Sequence, residues 1–189
     1  MIKQGSAQYA VNEIVVHCSA TQASWMKTAR TSAKVAEIRR WHIEDRGWRD
    51  IGYHYVIDRD GTVARGRSET VIGAGVEGHN RGVIHICLIG GHGSNANDRF
   101  EAHFTHEQEI ALMKLIDDIT RRTDIQRISG HNEHAAKACP GFSVTAFLQG
   151  IPAPRPAPRP TVRPTPRPAQ PAARQPLPRI VTRIAGLFK

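Results

Sequence analysis

Three short apolar runs, rich in β-branched residues, predict strands in the first 150 residues. They are residues 13–17 (EIVVH), 53–58 (YHYVID) and 83–89 (VIHICLI), each bounded by turn residues. Asp60-Gly61 follows the second run and is a favourable pair for a tight hairpin turn. Residues 62–65 are therefore predicted to return as a further strand.

Two other stretches show helical spacing. The first, about residues 33–46, places Val35, Ile38 and either Trp41 or His42 on one face. The second is predicted to begin at Thr105, whose spacing to Gln108 is that of a capping box. Its apolar positions continue through Ile110, Met113, Ile116 and Ile119. The predicted fold class is α/β (α+β), with a central mixed β-sheet flanked by helices.

The composition changes at Gly150. Eleven of the twelve prolines lie between Pro152 and Pro178, and such a segment buries too little apolar surface to fold. We therefore predict a folded domain over residues 1–150 and a disordered Pro/Arg-rich linker over residues 151–178. Residues 179–189 have apolar side chains at helical spacing between basic ones, which predicts a cationic amphipathic helix.

The charge follows the same division. The chain has a formal net charge of +9, but residues 151–189 hold eight basic residues and no acidic one. Residues 1–150 hold 18 basic and 17 acidic residues, a net charge of +1. The tail has no aromatic residue before Phe188 on which a base could stack, so we predict no nucleic-acid partner. The polar N-terminus does not resemble a signal peptide, which indicates synthesis in the cytoplasm.

Three side chains stand out as a candidate metal site: His17 at the end of a predicted strand, and His131 and Cys139 eight residues apart. Two imidazoles and a thiolate suit zinc, and three protein ligands leave a position open for catalysis. By spacing alone, His134, His92 or His79 are alternatives. The competing interpretation makes Cys139 a small buried apolar residue and the histidines ordinary surface residues.

Five strings resemble the second family of N-acetylmuramoyl-L-alanine amidases, which belongs to the peptidoglycan-recognition-protein superfamily. They are VHCSAT (16–21), EIRRWH (37–42), GWRDIGYHYVIDRDGTV (47–63), ICLIGG (86–91) and GHNEHAAKACPGF (130–142). Within the superfamily the chain is most similar to the lysozymes of the T-seven type of phages. The resemblance keeps its order over roughly residues 11–148 and excludes the tail.

The resemblance implies a zinc site at His17, His131 and Cys139, with Tyr53 and Lys137 as catalytic residues. A phenol and an ammonium group of this kind can stabilise a developing oxyanion or relay a proton. Glu133 is a weaker candidate for the general base. The family usually has a histidine where Gly75 stands here, and His79 is near enough in sequence to compensate.

The resemblance also implies the activity: zinc-dependent hydrolysis of the amide between N-acetylmuramic acid and L-alanine in peptidoglycan. The expected protein is a monomeric phage endolysin that acts on the cell wall after release from the cytoplasm. Two alternatives come from other classes, a non-catalytic peptidoglycan-recognition module and an inhibitor of a phage RNA polymerase. Residues 179–189 are a candidate contact with an anionic membrane or outer-envelope surface.

Overall fold

The computed structural model describes residues 1–150, and the predicted linker (151–178) and terminal helix (179–189) lie outside this part of the chain. Seven strands and three α-helices make up the described domain. The strands are β1 (Lys3–Gln4), β2 (Tyr9–Ala10), β3 (Glu13–Cys18), β4 (Tyr55–Ile57), β5 (Val63–Arg65), β6 (Val83–Leu88) and β7 (Arg127–Gly130). The helices are α1 (Thr31–Arg40), α2 (His106–Arg122) and α3 (Val144–Leu148).

A five-stranded mixed sheet in the order β5-β4-β6-β3-β7 forms the centre of the domain. Strands β4, β6, β3 and β7 run parallel, whereas β5 is antiparallel to β4 and returns through the hairpin turn at Asp60-Gly61. The predicted mixed sheet, its three apolar strands and the hairpin are therefore confirmed. Strands β1 and β2 form a separate two-stranded ribbon.

The two faces of the sheet bury different side chains, because successive residues of a strand point to opposite faces. Ile14 and Val16 of β3 pack with Leu112 and Ile116 of α2 on one face. The other face packs a smaller apolar cluster against α1, including Val35 and Ile38. His17 shares this second face, which places it on the α1 side of the sheet.

The helix predictions are confirmed in type and corrected in detail. Helix α1 ends at Arg40 and continues as a π-helical turn over Trp41–Asp45, which buries His42. Helix α2 has the predicted capping box at Thr105. Ile110 and Met113 are nevertheless 41% and 42% exposed, because Leu112 and Leu115 form the buried face instead.

Polar groups also fix the helices to the sheet. The buried side chain of Gln108 donates to the carbonyl oxygens of Ile57 and Ile89, at 3.1 and 2.9 Å. On the other side, the ammonium group of Lys34 lies 2.7 Å from the carboxylate of Asp58, and the two side chains are only 7% and 3% exposed. Burying a charge without a partner is costly, so this ion pair holds α1 in place against the end of β4.

Candidate active site

His17 and His131 lie side by side because of the parallel pairing of β3 and β7. Val16 is in register with Gly130. The residues that follow them, His17 near the end of β3 and His131 just after β7, therefore lie at the same level of the sheet. Their ring centroids are 4.9 Å apart. The sheet topology thus brings together two imidazoles that are far apart in the sequence.

Cys139 completes the group from the turn that precedes α3. Its Sγ lies 3.8 Å from Nδ1 of His17 and accepts a hydrogen bond from the backbone N–H of Cys18 at 3.2 Å. One ligand atom from each of His17, His131 and Cys139 lies within 4.8 Å of the others. Of the alternatives raised by spacing, His79 and His134 belong to a different group around Glu13.

Burial keeps the two imidazoles neutral. It lowers the pKa of His17 well below its usual value, and the neighbouring His131 adds to the effect. The pKa of His131 falls to about 4 because of burial and the nearby ammonium group of Lys137. Contact with the side-chain thiol of Cys18 and burial raise the pKa of the Cys139 thiol. A metal that binds here would meet two ready nitrogen ligands and displace a proton from sulfur.

Tyr53 and Lys137 both line the cleft that contains this group, which has a volume of about 1270 Å³. The Tyr53 ring lies 5.1 Å from that of His17, between centroids. Burial raises the pKa of the Tyr53 phenol well above its usual value, so the group stays protonated and can donate a hydrogen bond. Lys137 is exposed at the rim of the cleft.

Glu133 does not face the cleft. Its Oε1 accepts a hydrogen bond from the backbone N–H of Gly130 at 2.8 Å, and its Oε2 lies 3.4 Å from the guanidinium group of Arg127. The prediction of Glu133 as a general base therefore has no support in the geometry. The carboxylates that line the cleft are those of Asp45 and Glu77.

His85 occupies the space that a side chain at position 75 would need. A Cβ atom placed on Gly75 would lie 2.5 Å from Nδ1 of His85 and 2.8 Å from Nε2 of His17. Nδ1 of His85, on β6, is itself 3.0 Å from Nε2 of His17. The absence of a side chain at Gly75 and the presence of an imidazole at His85 are thus two parts of one arrangement, which the sequence did not reveal. His79, considered as a substitute, interacts with Glu13 instead.

The hydrogen bond between Nε2 of His17 and Nδ1 of His85 holds one proton, so the tautomers of the two rings are linked. If Nδ1 of His17 offers its lone pair beside Cys139, then Nε2 carries the proton and donates it to Nδ1 of His85. His85 then carries its own proton on Nε2, which is buried without a hydrogen-bond partner in the described residues. The contact with His85 therefore orients the His17 ring.

Aromatic side chains from the π-helical turn and the following loop form another wall of the cleft. Trp41, His42 and Trp48 line it, and the rings of His42 and Trp48 are stacked with centroids 4.6 Å apart. Burial lowers the pKa of His42 to about 4, and its Nδ1 accepts the backbone N–H of Gly52 at 3.1 Å. His42 is thus a neutral structural support for this wall.

With this geometry in place, the chain can be compared with known proteins. Residues 7–142 match the family described as N-acetylmuramoyl-L-alanine amidase. The chain belongs to this family. It is 38% identical to the endolysin of Escherichia phage T7 over 135 residues, which cover 71% of this chain and 83% of the phage protein. The endolysin of Enterobacteria phage T3 is 39% identical over 131 residues, with 69% and 81% coverage. Membership of the family confirms the predicted enzyme class.

Solved structures of the superfamily share the fold. The peptidoglycan recognition protein LCa and LCx ectodomain complex, solved with tracheal cytotoxin, matches with a TM-score of 0.62 and 25% identity, covering 81% of this chain and 88% of that chain. The amidase LysC from Clostridium intestinale matches in fold with a TM-score of 0.57 and 24% identity, covering 80% and 98%. In the described residues, no helix is both long and apolar enough to cross a membrane.

Proposed function

We propose that this chain hydrolyses, with zinc, the amide bond between N-acetylmuramic acid and L-alanine in bacterial peptidoglycan. The observation that carries the proposal is the meeting of His17, His131 and Cys139, whose ligand atoms lie within 4.8 Å of one another in a large cleft. Membership of an amidase family supplies the reaction class, and the names of the phage relatives indicate the substrate.

The donor atoms fit zinc. Two neutral imidazoles and one cysteine sulfur are ligands that zinc prefers, and three protein ligands leave a position for water or substrate. The backbone N–H of Cys18 points at the Cys139 sulfur, and such a donor favours the thiolate form that metal binding needs. When bound, zinc supplies a Lewis acid that polarises a carbonyl group and lowers the pKa of a water molecule to about 7.

Tyr53 and Lys137 are proposed to act on the carbonyl oxygen of the scissile amide. Tyr53 keeps its proton because its pKa is raised, so it donates a hydrogen bond and does not act as a base. Lys137 provides positive charge from the cleft rim. Donors that are fixed before the reaction stabilise the negative charge that develops on such an oxygen, and removing one typically costs about 100- to 1000-fold in rate.

The relatives suggest when and where the chain acts. Because the similar phage proteins are endolysins, we infer that this chain is made in the cytoplasm and acts on the cell wall after its release. Binding of a phage RNA polymerase, membrane contact through residues 179–189 and the monomeric state stay predictions from the sequence.

The test is the release of soluble fragments from purified peptidoglycan, with identification of the new chain ends. Free amino groups on L-alanine are expected for the wild-type chain and for His106→Asn, which changes an exposed histidine on α2. They should be lost in His131→Asn, in Cys139→Ala and after chelation, and zinc should restore only the chelated wild type. Wall binding without new amino termini would instead indicate a recognition module, and cleavage that survives chelation would exclude a metal-dependent reaction.

A further inference from the structure

A second cluster of metal-binding side chains lies around Glu13, at the opposite end of β3 from His17. Its carboxylate is buried, with the side chain only 8% exposed. His79 approaches one oxygen with Nε2 at 2.6 Å, and His134 approaches the other with Nε2 at 3.1 Å. The two imidazole rings are stacked, with centroids 4.4 Å apart. Three elements distant in sequence thus direct a carboxylate and two imidazoles at one point.

We propose that Glu13, His79 and His134 form a second metal site, which takes a divalent first-row transition ion such as zinc. Their ligand atoms lie within 4.8 Å of one another. Atoms bound tetrahedrally at about 2.0–2.1 Å from zinc stand about 3.3 Å apart, so a small rotation of the two rings suffices to admit the ion. One carboxylate with two imidazoles is a common ligand set for such metals.

The hydrogen bonds around the cluster leave it free to bind. Within residues 1–150, Nδ1 of His79 and Nδ1 of His134 bond to no protein group, so each ring can carry its proton there and turn the Nε2 lone pair toward a metal. The hydroxyl of Ser129 lies 2.7 Å from the Glu13 carboxylate and 2.8 Å from Nε2 of His134. It therefore offers a further oxygen beside the ion.

Arg127 is the competitor for the carboxylate. Its Nε lies 3.5 Å from Oε1 of Glu13, and its side chain is 50% exposed. It also faces Glu133 at 3.4 Å, so it has a second carboxylate to turn to when a metal binds. Because like charges repel, removal of this guanidinium should strengthen metal binding, which makes the charge balance testable.

The position of the cluster gives the ion a structural role. Glu13 and His17 lie on the same face of β3 and are separated by about 13 Å along the strand. Val15 lies between them and packs with Val76 and Val83 in a small apolar cluster of its own. His79 and Val76 belong to the loop that also gives Gly75 and Glu77 to the cleft. A metal at the second site would therefore hold this loop against the sheet.

Cobalt distinguishes the two sites, because only the site at Cys139 contains sulfur and can show a sulfur-to-cobalt charge-transfer band. The full-length chain is freed of metal and titrated with Co²⁺, first as wild type and then as Cys139→Ser/His131→Asn. His79→Asn, His134→Asn or Arg127→Gln is then added to the double variant. His106→Asn is the matched control, since this exposed histidine also faces a carboxylate, that of Glu109, at 3.2 Å.

The double variant is expected to lack the charge-transfer band and still to bind one equivalent of cobalt at the second site. The d–d bands of the bound ion report this binding. His79→Asn and His134→Asn should each weaken that binding about tenfold or more. His106→Asn should leave it unchanged, and Arg127→Gln should strengthen it. His79 is 43% exposed, so its replacement leaves the fold intact, which near-ultraviolet circular dichroism of the metal-free chain checks. Equal cobalt affinity of the double variant with and without His79→Asn would overturn the proposal.

Discussion

The imidazole at His85 should be exchangeable with one at position 75. A His85→Gly variant removes the acceptor for Nε2 of His17, which is 3.0 Å away. Loss of such a hydrogen bond behind a metal ligand costs about 10- to 100-fold in metal affinity or activity, or about 1.4–2.7 kcal/mol. Gly75→His alone should destabilise the fold, because its Cβ would lie 2.5 Å from the His85 ring.

The double variant Gly75→His/His85→Gly tests whether an imidazole at position 75 can replace the one at His85. Removal of the His85 ring clears one of the two groups that crowd position 75. The other is Nε2 of His17, 2.8 Å from the new Cβ atom, so the loop at Gly75 must shift slightly before the new imidazole can contact this nitrogen. We expect the double variant to recover part of the zinc affinity that His85→Gly loses, because the crowding against His17 remains. Zinc affinity is measured by competition with a chromophoric chelator, and the peptidoglycan assay is run in parallel. A double variant that binds zinc no better than His85→Gly would refute the exchange.

Three further predictions concern the fold and the candidate metal site. Lys34→Met leaves the carboxylate of Asp58 buried without its ion-pair partner, so it should lower the free energy of unfolding by about 3–5 kcal/mol in urea denaturation. Arg40→Met removes a surface ion pair and should lower it by less than about 1 kcal/mol. Gln108→Ala deprives two buried carbonyl groups of their donor and the backbone N–H of Thr105 of its acceptor, so a loss of at least about 1–3 kcal/mol is expected in the same assay. Zinc binding should release one proton from Cys139, because the pKa of its thiol is raised. Zinc affinity should then rise about tenfold per pH unit near neutrality and fall in acid. Calorimetry in buffers of different ionisation enthalpy measures the released proton directly. A pH-independent affinity would contradict this.

The sequence predicted the sheet, the capping box and the group of His17, His131 and Cys139 because each depends on local pattern or on ligand type. Apolar runs define strands, and the spacing from Thr105 to Gln108 defines a helix start. The choice among ten histidines came from the resemblance, and the structure brings the same three residues together.

Other features depend on contacts that no local pattern encodes. The role of His85 follows from the register that places it beside Val15 on β3, and strand register is set by tertiary packing. Ile110 and Met113 are exposed because α2 turns Leu112 and Leu115 toward the sheet instead. The spacing of apolar residues alone does not decide between these two faces of the helix. The group around Glu13 combines a strand, a loop and a turn, so its members show no common spacing.

The wide sequence separation within the candidate metal centre affects how the domain folds. His17 and Cys139 are 122 residues apart in the chain, and both depend for their positions on the parallel pairing of β3 with β6 and β7. Long-range parallel pairing is slow because the entropy of closing large loops is lost before the contacts form. The centre therefore depends on contacts that are slow to form, and a chain cut before Cys139 lacks one of the three proposed ligands. On the proposed zinc-dependent mechanism, hydrolysis therefore requires the finished domain.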